Sequence, residues 1–375
     1  MMRRILVVGP VPPPFGGIAS LMDDIIKSDL ANEYVFDIFP RSAGFPSEAH
    51  GAIGRNLYRI RRFLTFFRQV RTKAYDLVHL HSADPVFLGT ALFMALARLA
   101  GVRVLLHMHG TDWGGFYAEA SAFRKLYTRL GLMLPAHIVV LYGLWEQKIR
   151  ELLPRTDVRI VSNFIRGSSP PNRAEVQKTR RDLGLEDDDF LVLTTGAVGW
   201  RKGSFEIVRA ASRVAAEDDT IRFVLVGGEE EDGEMGMVLD RIEKEHVRGR
   251  VTLTGEVERD RIPCFLAAAD VFLLPSFIEG MPISILEAME AGLPVISTKV
   301  NAIPYMIEDG VSGLLIDPGS PDQIARAVLR LKQDAGLYEK LANGSRQAFN
   351  EKFEYSIGIG HMRTLFENIL GKDDQ

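Results

Sequence analysis

Two glutamates placed eight residues apart, Glu279 and Glu287, are the strongest candidates for chemistry in this sequence. Between them, the sequence predicts the start of a helix at Gly280, Met281, Pro282 and Ile283. Proline fits the first helical turn, because the N–H that it lacks has no partner there. The other amides at such a helix start remain free, and with the helix dipole they favour an anion.

Glu287 falls among apolar residues inside this helix. A carboxylate in such surroundings is stabilised by hydrogen-bond donors, and a ribose or hexose diol offers two hydroxyl groups to its two oxygens. We therefore expect Glu287 to bind a sugar diol. By residue type alone, Glu287 would be an exposed helix residue, and Glu279 an acid that stabilises the helix N-terminus.

The elements that must position these residues are visible as short β-branched runs that alternate with longer helical patterns, which is typical of parallel α/β sheets. The first six runs cover residues 5–8, 35–39, 77–80, 102–107, 138–141 and 159–161. Six more cover residues 190–195, 222–226, 250–254, 271–274, 294–297 and 313–316. Residues 166–173 are rich in Gly, Ser and Pro and predict a linker.

This organisation predicts two Rossmann-like, doubly wound domains, at residues 1–165 and 174–355. The composition agrees, since 375 residues exceed one ordinary core, and 46% apolar with 25% charged residues is typical of globular proteins. After the last strand, helices are expected at residues 322–333, 337–349 and 356–370. Parallel sheets bind ligands at the carboxyl ends of their strands, so the site is expected in a cleft between the domains.

The segment that carries the two glutamates closely resembles the signature of the retaining glycosyltransferase family 4, whose members have the GT-B fold. The match covers Glu279, Gly280, Pro282 and Glu287 and continues through the run Gly292-Leu293-Pro294-Val295. The resemblance implies that Glu287 binds the nucleotide ribose, that Glu279 lies beside the donor sugar, and that the amides of residues 280–283 bind sugar hydroxyls and phosphate. It also implies that residues 356–375 cross back to the first domain.

A glycine-rich turn at residues 195–203 resembles the diphosphate loop of that family. It begins at Gly196 and ends in two cations, Arg201 and Lys202, which would stabilise the charge that develops on the leaving diphosphate. The family usually has arginine directly after the first glycine, where this chain has Ala197, so Arg201 is the candidate replacement. The alternative is a solvated Arg-Lys pair at a surface turn.

Two glycines and a histidine complete the expected site in the first domain. Gly16 and Gly17 follow the first strand and let the backbone approach a ligand closely, as the glycine pair of the family does. His109 follows the strand near residue 108, and the resemblance places it beside the donor sugar. His107 and His109 offer only two ligands with no third clustered histidine, so no zinc or other metal site is predicted.

A basic segment suggests a membrane surface. Residues 1–165 carry 20 basic and 13 acidic residues, and residues 55–73 contain seven basic residues and no acid. Helical spacing predicts an apolar arc at Ile60, Phe63, Leu64, Phe67 and Val70. The opposite, membrane-facing set is Arg55, Arg59, Arg62, Phe66 and Lys73. Such a helix suits an anionic bilayer better than nucleic acid, and a packed helix with a basic solvent face is the alternative.

Features of the whole chain predict a cytoplasmic protein, peripheral on the inner face of the cell membrane. The single cysteine, Cys264, has apolar neighbours and predicts a buried thiol in a reducing compartment. The apolar run at residues 5–8 is too short for a signal peptide. The longest apolar stretch covers twelve residues, whereas a spanning helix needs about 20.

These observations predict a retaining, metal-independent glycosyltransferase without a cofactor. It is expected to move a hexose-type sugar from a nucleotide-sugar donor to a saccharide or lipid-linked saccharide in cell-envelope or exopolysaccharide synthesis. One alternative is a GT-B sugar-nucleotide epimerase or hydrolase, which would consume the donor without an acceptor. The other is a non-catalytic sugar-nucleotide-binding protein, suggested by Ala197 and by Asn301 and Tyr305, which also depart from the family pattern.

Overall fold

The computed structural model describes residues 2–11, 16–41, 51–83, 88–110, 117 and 119–371. The chain forms two compact units. The first combines Met1–Asn163 with Ser356–Gln375, and the second is Phe164–Tyr355. Each unit contains one six-stranded parallel sheet, which confirms the predicted α/β, doubly wound fold.

The sheet of the first unit has the strand order β2-β1-β3-β4-β5-β6. Its strands are β1 (Arg3–Gly9), β2 (Tyr34–Pro40), β3 (Leu77–Ser82), β4 (Arg103–Met108), β5 (His137–Val140) and β6 (Asp157–Ile160). The central strands are buried on both faces, which is why their sequences are nearly continuous apolar runs. The order reverses between β1 and β3, which makes the carboxyl end of these two strands a topological switch point.

Among the described residues, the first unit has five helices before the second sheet. They are α1 (Gly17–Ile26), α2 (Gly51–Thr72), α3 (Leu88–Leu99), α4 (Ala122–Leu132) and α5 (Gly143–Leu152), with a 3-10 turn at Asp29–Asn32. Helices α2 and α3 pack through an aromatic cluster formed by Phe63, Phe66 and Phe93. The cluster continues onto β2 through Phe39, which contacts Phe66 and Phe93.

The sheet of the second unit has the strand order β12-β11-β10-β7-β8-β9. Its strands are β7 (Phe190–Thr195), β8 (Ile221–Val226), β9 (Val251–Leu253), β10 (Val271–Leu274), β11 (Val295–Thr298) and β12 (Leu314–Ile316). All twelve strands predicted from the sequence are therefore present. The switch point of this sheet lies between β7 and β10, and the two sequence motifs are the loops that leave these strands.

The second unit contains eight helices among the described residues. They are α6 (Arg173–Asp182), α7 (Ser204–Ala215), α8 (Glu234–Lys244), α9 (Ile262–Ala268), α10 (Ile283–Ala291), α11 (Ile303–Met306), α12 (Pro321–Gln333) and α13 (Ala335–Lys352), with a 3-10 turn at Arg259–Arg261. Asn172 and Glu175 form a capping box at the start of α6. Helix α6 therefore begins at Arg173, inside the segment expected as a linker.

The last helix, α14 (Tyr355–Leu370), packs on the sheet of the first unit. Its Phe366 is fully buried, with ring centroids 5.4 Å from Tyr34, 6.2 Å from Phe36 and 5.7 Å from His79. Across the described residues, no helix is both long and apolar enough to span a membrane. The thiol of Cys264 is only half-buried, so the prediction of a buried thiol is wrong.

Candidate active site

The loops after β7 and β10 pack directly against each other. Gly203 has a φ of 76°, and a Cβ at this position would lie 2.3 Å from the carbonyl oxygen of Pro275. The amide of Phe277 donates a hydrogen bond of 2.8 Å to the carbonyl oxygen of Arg201. The rings of Trp200 and Phe277 stack at 4.8 Å. Only glycine at position 203 allows this approach, which brings both motifs into one site.

The carboxylate of Glu279 is the buried centre of this site. It accepts hydrogen bonds from Lys202 Nζ at 2.6 Å and from Ser276 Oγ at 2.9 Å. Arg201 Nη1 lies 3.7 Å from the same oxygen. The backbone carbonyl of Glu279 accepts from Asn301 Nδ2 at 2.7 Å. Lys202 and Glu279 lie 77 residues apart in the chain and, together with Arg201, form one ionic cluster.

Arg201 is held by contacts on two sides. Its Nη1 donates to the carbonyl oxygen of Ile278 at 3.1 Å, and its Nε forms an ion pair with Glu230. The alternative of a solvated Arg-Lys pair is therefore wrong, because both cations are anchored within the second unit. A guanidinium beside Lys202 gives the loop a second cation, although position 197 is alanine.

Glu287 lies on α10 and is half-buried, and it accepts no hydrogen bond from any residue that the structure describes. Burial raises the pKa of its carboxyl group to about 7, while the nearby Arg259 lowers it and Glu290 raises it. Its helix neighbours Leu286 and Ala288 are fully buried. Glu287 is therefore a carboxylate in apolar surroundings with its acceptor capacity unused by the described residues.

The start of α10 differs by one position from the prediction. Pro282 is the N-cap, with φ −68° and ψ 122°, and the helix begins at Ile283, so Pro282 does not lie in the first turn. No described side chain caps this helix start. Gly292 ends the helix with a φ of 77°, as its glycine signal indicated. The first-turn amides begin at Ile283, four residues after Glu279, and an anion would complete this helix start.

The glycine pair of the first unit lies at the start of α1. Gly16 is the N-cap, and Gly17 is the first helical residue. A Cβ added at Gly16 would meet no described heavy atom within 4 Å. The backbone at Gly16 is thus accessible beside the carboxyl end of β1, which is the switch point of the first sheet.

His109 belongs to a cluster of four buried histidines that the sequence did not predict. Its Nε2 lies 2.9 Å from His81 Nδ1, and His79 Nε2 lies 3.3 Å from His107 Nδ1. The statement that no third histidine is clustered with His107 is therefore wrong. The missed signal is a repeated His-x-His pattern near the ends of two strands, and the sheet pairs these strands with His81 opposite His107.

Helix α2 presents a different face to the sheet than its sequence predicts. Phe66 was expected at a membrane surface, but it is fully buried, with ring centroids 5.3 Å from Phe39 and 4.8 Å from Phe93. Ile60 and Leu64, expected in the core, are 56% and 64% exposed. The aromatic cluster on β2 and α3 determines the rotation, because edge-to-face packing of three rings needs Phe66 inside. The assignment of Phe66 to the membrane surface is wrong.

The four cations expected beside Phe66 lie in different environments. Arg55 and Arg59 are exposed. Arg62 is half-buried, with its guanidinium 4.8 Å from the centroid of the Phe39 ring. Lys73 Nζ lies 3.6 Å from an oxygen of Asp37. Arg62 therefore packs against the sheet and does not belong to an open basic face.

Several residues that shape the site carry no distinct sequence signal. Ser276 and Glu230 bind the two charged groups of the ionic cluster, and Asn301, noted as a departure from the family pattern, anchors the backbone of Glu279. Asp189, which precedes β7, is also buried, and its carboxylate lies 3.1 Å from Arg222 Nη2.

Comparison with known proteins identifies the family. Residues 39–163 match the family described as glycosyl transferase 4-like domain, and residues 175–348 match glycosyl transferases group 1. The sequence is 30% identical over 325 residues to the alpha-D-kanosaminyltransferase of Streptomyces kanamyceticus, covering 80% of each chain. The chain belongs to the family 4 glycosyltransferases. Its predicted class, a transferase of the GT-B type, is confirmed.

Two further likenesses extend over nearly the whole glycosyltransferase. It is 28% identical over 366 residues to the GDP-mannose-dependent alpha-(1-6)-phosphatidylinositol monomannoside mannosyltransferase of Mycobacterium tuberculosis, covering 89% of this chain and 90% of that protein. It superposes on the crystal structure of Anabaena HepE in complex with UDP-glucose with a TM-score of 0.78 at 16% identity. That match covers 97% of this chain and 99% of HepE and reflects the shared GT-B fold.

Proposed function

We propose that this glycosyltransferase moves a hexose-type sugar from a nucleotide-sugar donor to a saccharide or lipid-linked saccharide acceptor, with retention at the anomeric carbon. The observation that carries the proposal is the Lys202–Glu279 ion pair beside the start of α10. The same helix carries Glu287, which accepts no hydrogen bond from the described residues. The mannosyltransferase relative is named as GDP-mannose-dependent, and HepE was solved with UDP-glucose. Both support a nucleotide-sugar as the donor.

Three groups of residues in the second unit bind different parts of the donor. The carboxylate of Glu287 accepts hydrogen bonds from the ribose diol, which supplies the donors that the described residues do not. The amides at the start of α10 bind donor oxygens, and Lys202 and Arg201 bind the diphosphate. A nucleotide-sugar has one part for each group: a ribose diol, a sugar and a diphosphate.

The transfer step uses charge stabilisation and needs no metal or cofactor. The bond between the anomeric carbon and the phosphate oxygen breaks, and the acceptor hydroxyl bonds to the same face of that carbon. The hydroxyl proton passes to the departing phosphate oxygen. Lys202 and Arg201 stabilise the developing diphosphate charge, and Glu279 stabilises the positive charge on the sugar. His109 is assigned to the donor sugar from the first unit, by resemblance to the family.

Donor binding tests the role of Glu287. We expect Glu287→Ala to weaken the affinity for the preferred nucleotide-sugar by about 10- to 100-fold, because hydrogen bonds to a charged group contribute about 1.5–3 kcal/mol. Glu217→Ala, at an exposed position of the same unit, is the control. Isothermal titration with a panel of UDP-, GDP- and ADP-sugars provides the measurement. Wild-type affinity in Glu287→Ala would contradict the assignment.

The stereochemistry of the product tests the mechanism. NMR of the product formed with the preferred donor and a membrane-extract acceptor should show the anomeric configuration of the donor. The rate should be unchanged by added Mg²⁺ or Mn²⁺. An inverted product would exclude retention, and hydrolysis at the same rate without acceptor would favour a hydrolase.

We also propose that the first unit binds an anionic membrane surface, through residues other than those expected from the sequence. Helix α4 and its C-cap residue form an exposed apolar stripe at helical spacing, with members 55–78% exposed: Phe123, Leu126, Leu130 and Met133. The solvent face of α2 combines exposed apolar and basic residues: Leu57, Ile60, Arg61, Leu64, Arg68 and Arg71. Helix α2 packs on α3, and Gly131 of α4 lies near Ala91 of α3. Apolar residues flanked by arginines match the interface of an anionic bilayer.

Liposome binding tests this surface. The double substitution Leu126→Asp/Leu130→Asp should reduce binding to vesicles with anionic lipid by about tenfold or more, because insertion of each leucine contributes about 1.5 kcal/mol or more. Met237→Asp/Leu239→Asp, at exposed apolar positions on α8 in the second unit, is the matched control. Equal binding of both variants, or no binding of the wild-type protein at low salt, would rule out this surface.

A further inference from the structure

Four histidines form a buried cluster at the carboxyl end of two neighbouring strands in the first unit. His79 and His81 lie on β3, while His107 lies on β4 and His109 directly follows it. His79, His81 and His107 are completely buried. The ring centroids of His79 and His81 are 4.1 Å apart, and those of His107 and His109 are 4.2 Å apart. Such density of imidazoles is unusual in a core, where polar atoms need partners.

The four histidines do not provide hydrogen-bond partners for all of one another's ring nitrogens. Two contacts join them in pairs, His79 with His107 and His81 with His109. In the described part of the chain, three buried ring nitrogens remain without a hydrogen bond: His79 Nδ1, His81 Nε2 and His107 Nε2. A neutral imidazole has one N–H and one lone pair, so within the His79–His107 pair one unpaired nitrogen is a donor and the other is a lone pair. Each unpaired group destabilises the fold, because burial removes its hydrogen bonds to water and supplies none in return.

We propose that His79, His81 and His107 bind one divalent first-row transition-metal ion, with Zn²⁺ the best match. One ring nitrogen of each lies within 4.8 Å of the other two. Nitrogens bound to Zn²⁺ at 2.0–2.1 Å in a tetrahedral arrangement are roughly 3.4 Å apart, so ring rotations that bring the three nitrogens to this separation would supply three of the four ligands. Three neutral imidazoles favour zinc over Mg²⁺ or Ca²⁺, which prefer oxygen ligands.

The surroundings suit a structural or regulatory ion. The ring of Phe366 lies edge-on to His79, with centroids 5.7 Å apart, and provides an apolar wall. A bound ion would link β3 to β4 and fix His81, the residue that contacts His109. The site is distinct from the ionic cluster around Glu279 in the second unit, and the transfer chemistry proposed above does not use it.

Metal uptake by protein without a histidine tag tests the proposal. The full-length chain is stripped with a chelator, dialysed, and titrated with Zn²⁺ in competition with a chromophoric chelator. We expect one equivalent to bind the wild-type protein. His79→Gln and His107→Gln should each weaken Zn²⁺ binding by at least about 10- to 100-fold. Substitution of a residue that only hydrogen-bonds to a metal ligand already lowers metal affinity by that factor, and these variants remove a ligand itself. His361→Gln, at an exposed position on α14, should bind like wild type.

Co²⁺ provides a second measurement that needs no variant, in case a substitution prevents folding. The wild-type protein should develop visible absorption bands that saturate at one equivalent and disappear on addition of Zn²⁺. Absence of stoichiometric uptake of either ion by the wild-type protein would overturn the proposal. Equal weakening in His361→Gln would do so as well, because it would indicate surface binding.

Discussion

At the scale of single residues, Glu287 links the stability of the protein to pH. Its folded-state pKa of about 7 lies above the ordinary value of 4.5, because burial disfavours the charged form. The protonated carboxyl is therefore the form that the fold prefers. The contribution of this group to stability is complete below pH 4.5 and is lost as the pH rises through 7.

We expect the free energy of unfolding to fall by about 2–3 kcal/mol between pH 4.5 and pH 8 through this group alone. Glu287→Gln should remove that part of the pH dependence and stabilise the protein at pH 8, because the amide does not ionise. Denaturant titrations of both proteins at several pH values measure the difference. Glu217→Gln is the control, and an identical change in both variants would contradict the role of Glu287.

Donor affinity should change in the opposite direction. A ribose diol donates to the ionised carboxylate, so the donor should bind more tightly as the pH rises through 7. Glu287→Gln should weaken binding and remove this rise, since its amide offers one acceptor oxygen and no charge. Titrations of the nucleotide-sugar at pH 6 and pH 8 distinguish the two behaviours, and a flat wild-type profile would count against the diol contact.

At the scale of elements, the loops after β7 and β10 depend on one close approach. Gly203→Ala adds a Cβ that meets the backbone of Pro275, in addition to the strain of a left-handed backbone. Gly184→Ala is a matched control, because Gly184 has a similar φ of 69° but no described heavy atom within 4 Å. We expect Gly184→Ala to lower stability by about 1–2 kcal/mol and to leave turnover unchanged.

Gly203→Ala should lower stability further and also reduce turnover, because separation of the loops moves Lys202 away from Glu279. Chemical denaturation and steady-state kinetics of the two variants provide the comparison. Equal stability losses with normal turnover in both would show that backbone strain alone matters and that the close approach does not position the site.

The elements also show where sequence reasoning succeeds. Strands buried on both faces have continuous apolar runs, so their positions follow from composition, and glycine at position 292 predicts the end of α10. Helix α2 is different, because apolar residues occur around much of its circumference. The residue that faces inward, Phe66, is chosen by Phe39 and Phe93 on other elements. Its own sequence does not contain that information.

At the scale of the whole molecule, each unit is stabilised by residues that are distant in sequence. Helix α14 covers the first sheet with Phe366, whose side chain is completely buried. We expect Phe366→Ala to destabilise the first unit by about 3–5 kcal/mol, as large-to-small substitutions in cores do. Phe123→Ala, at a position that is 78% exposed, should change stability by less than about 0.5 kcal/mol.

Hydrogen exchange can locate this effect. Peptides from β2 and β3 should exchange faster in Phe366→Ala than in the wild-type protein, whereas peptides from β7 and β8 should be unchanged. Equal acceleration in both sheets would contradict the assignment of α14 to the first unit.

Sites whose residues are distant in sequence are harder to predict than sites formed by one segment. The segment from Glu279 to Glu287 is local, so its pattern could be recognised directly. The ion pair between Lys202 and Glu279 needs the strand order of the sheet, and the histidine cluster needs the register of β3 against β4. The sequence shows that His79 and His81 alternate along one strand, but it does not show that the strand with His107 is its neighbour in the sheet.

The stacked rings of Trp200 and Phe277 provide the protein with an intrinsic optical probe. Trp200 is 52% exposed and lies next to Arg201 and Lys202, and its partner ring belongs to the loop that carries Glu279. Any ligand that shifts either loop changes the stacking and the solvation of the indole, and hence its fluorescence. Trp145, which is buried in the first unit, and Trp113, which lies outside the described residues, are the other two tryptophans. Ligand binding at these loops can therefore be measured by tryptophan fluorescence, without an added label.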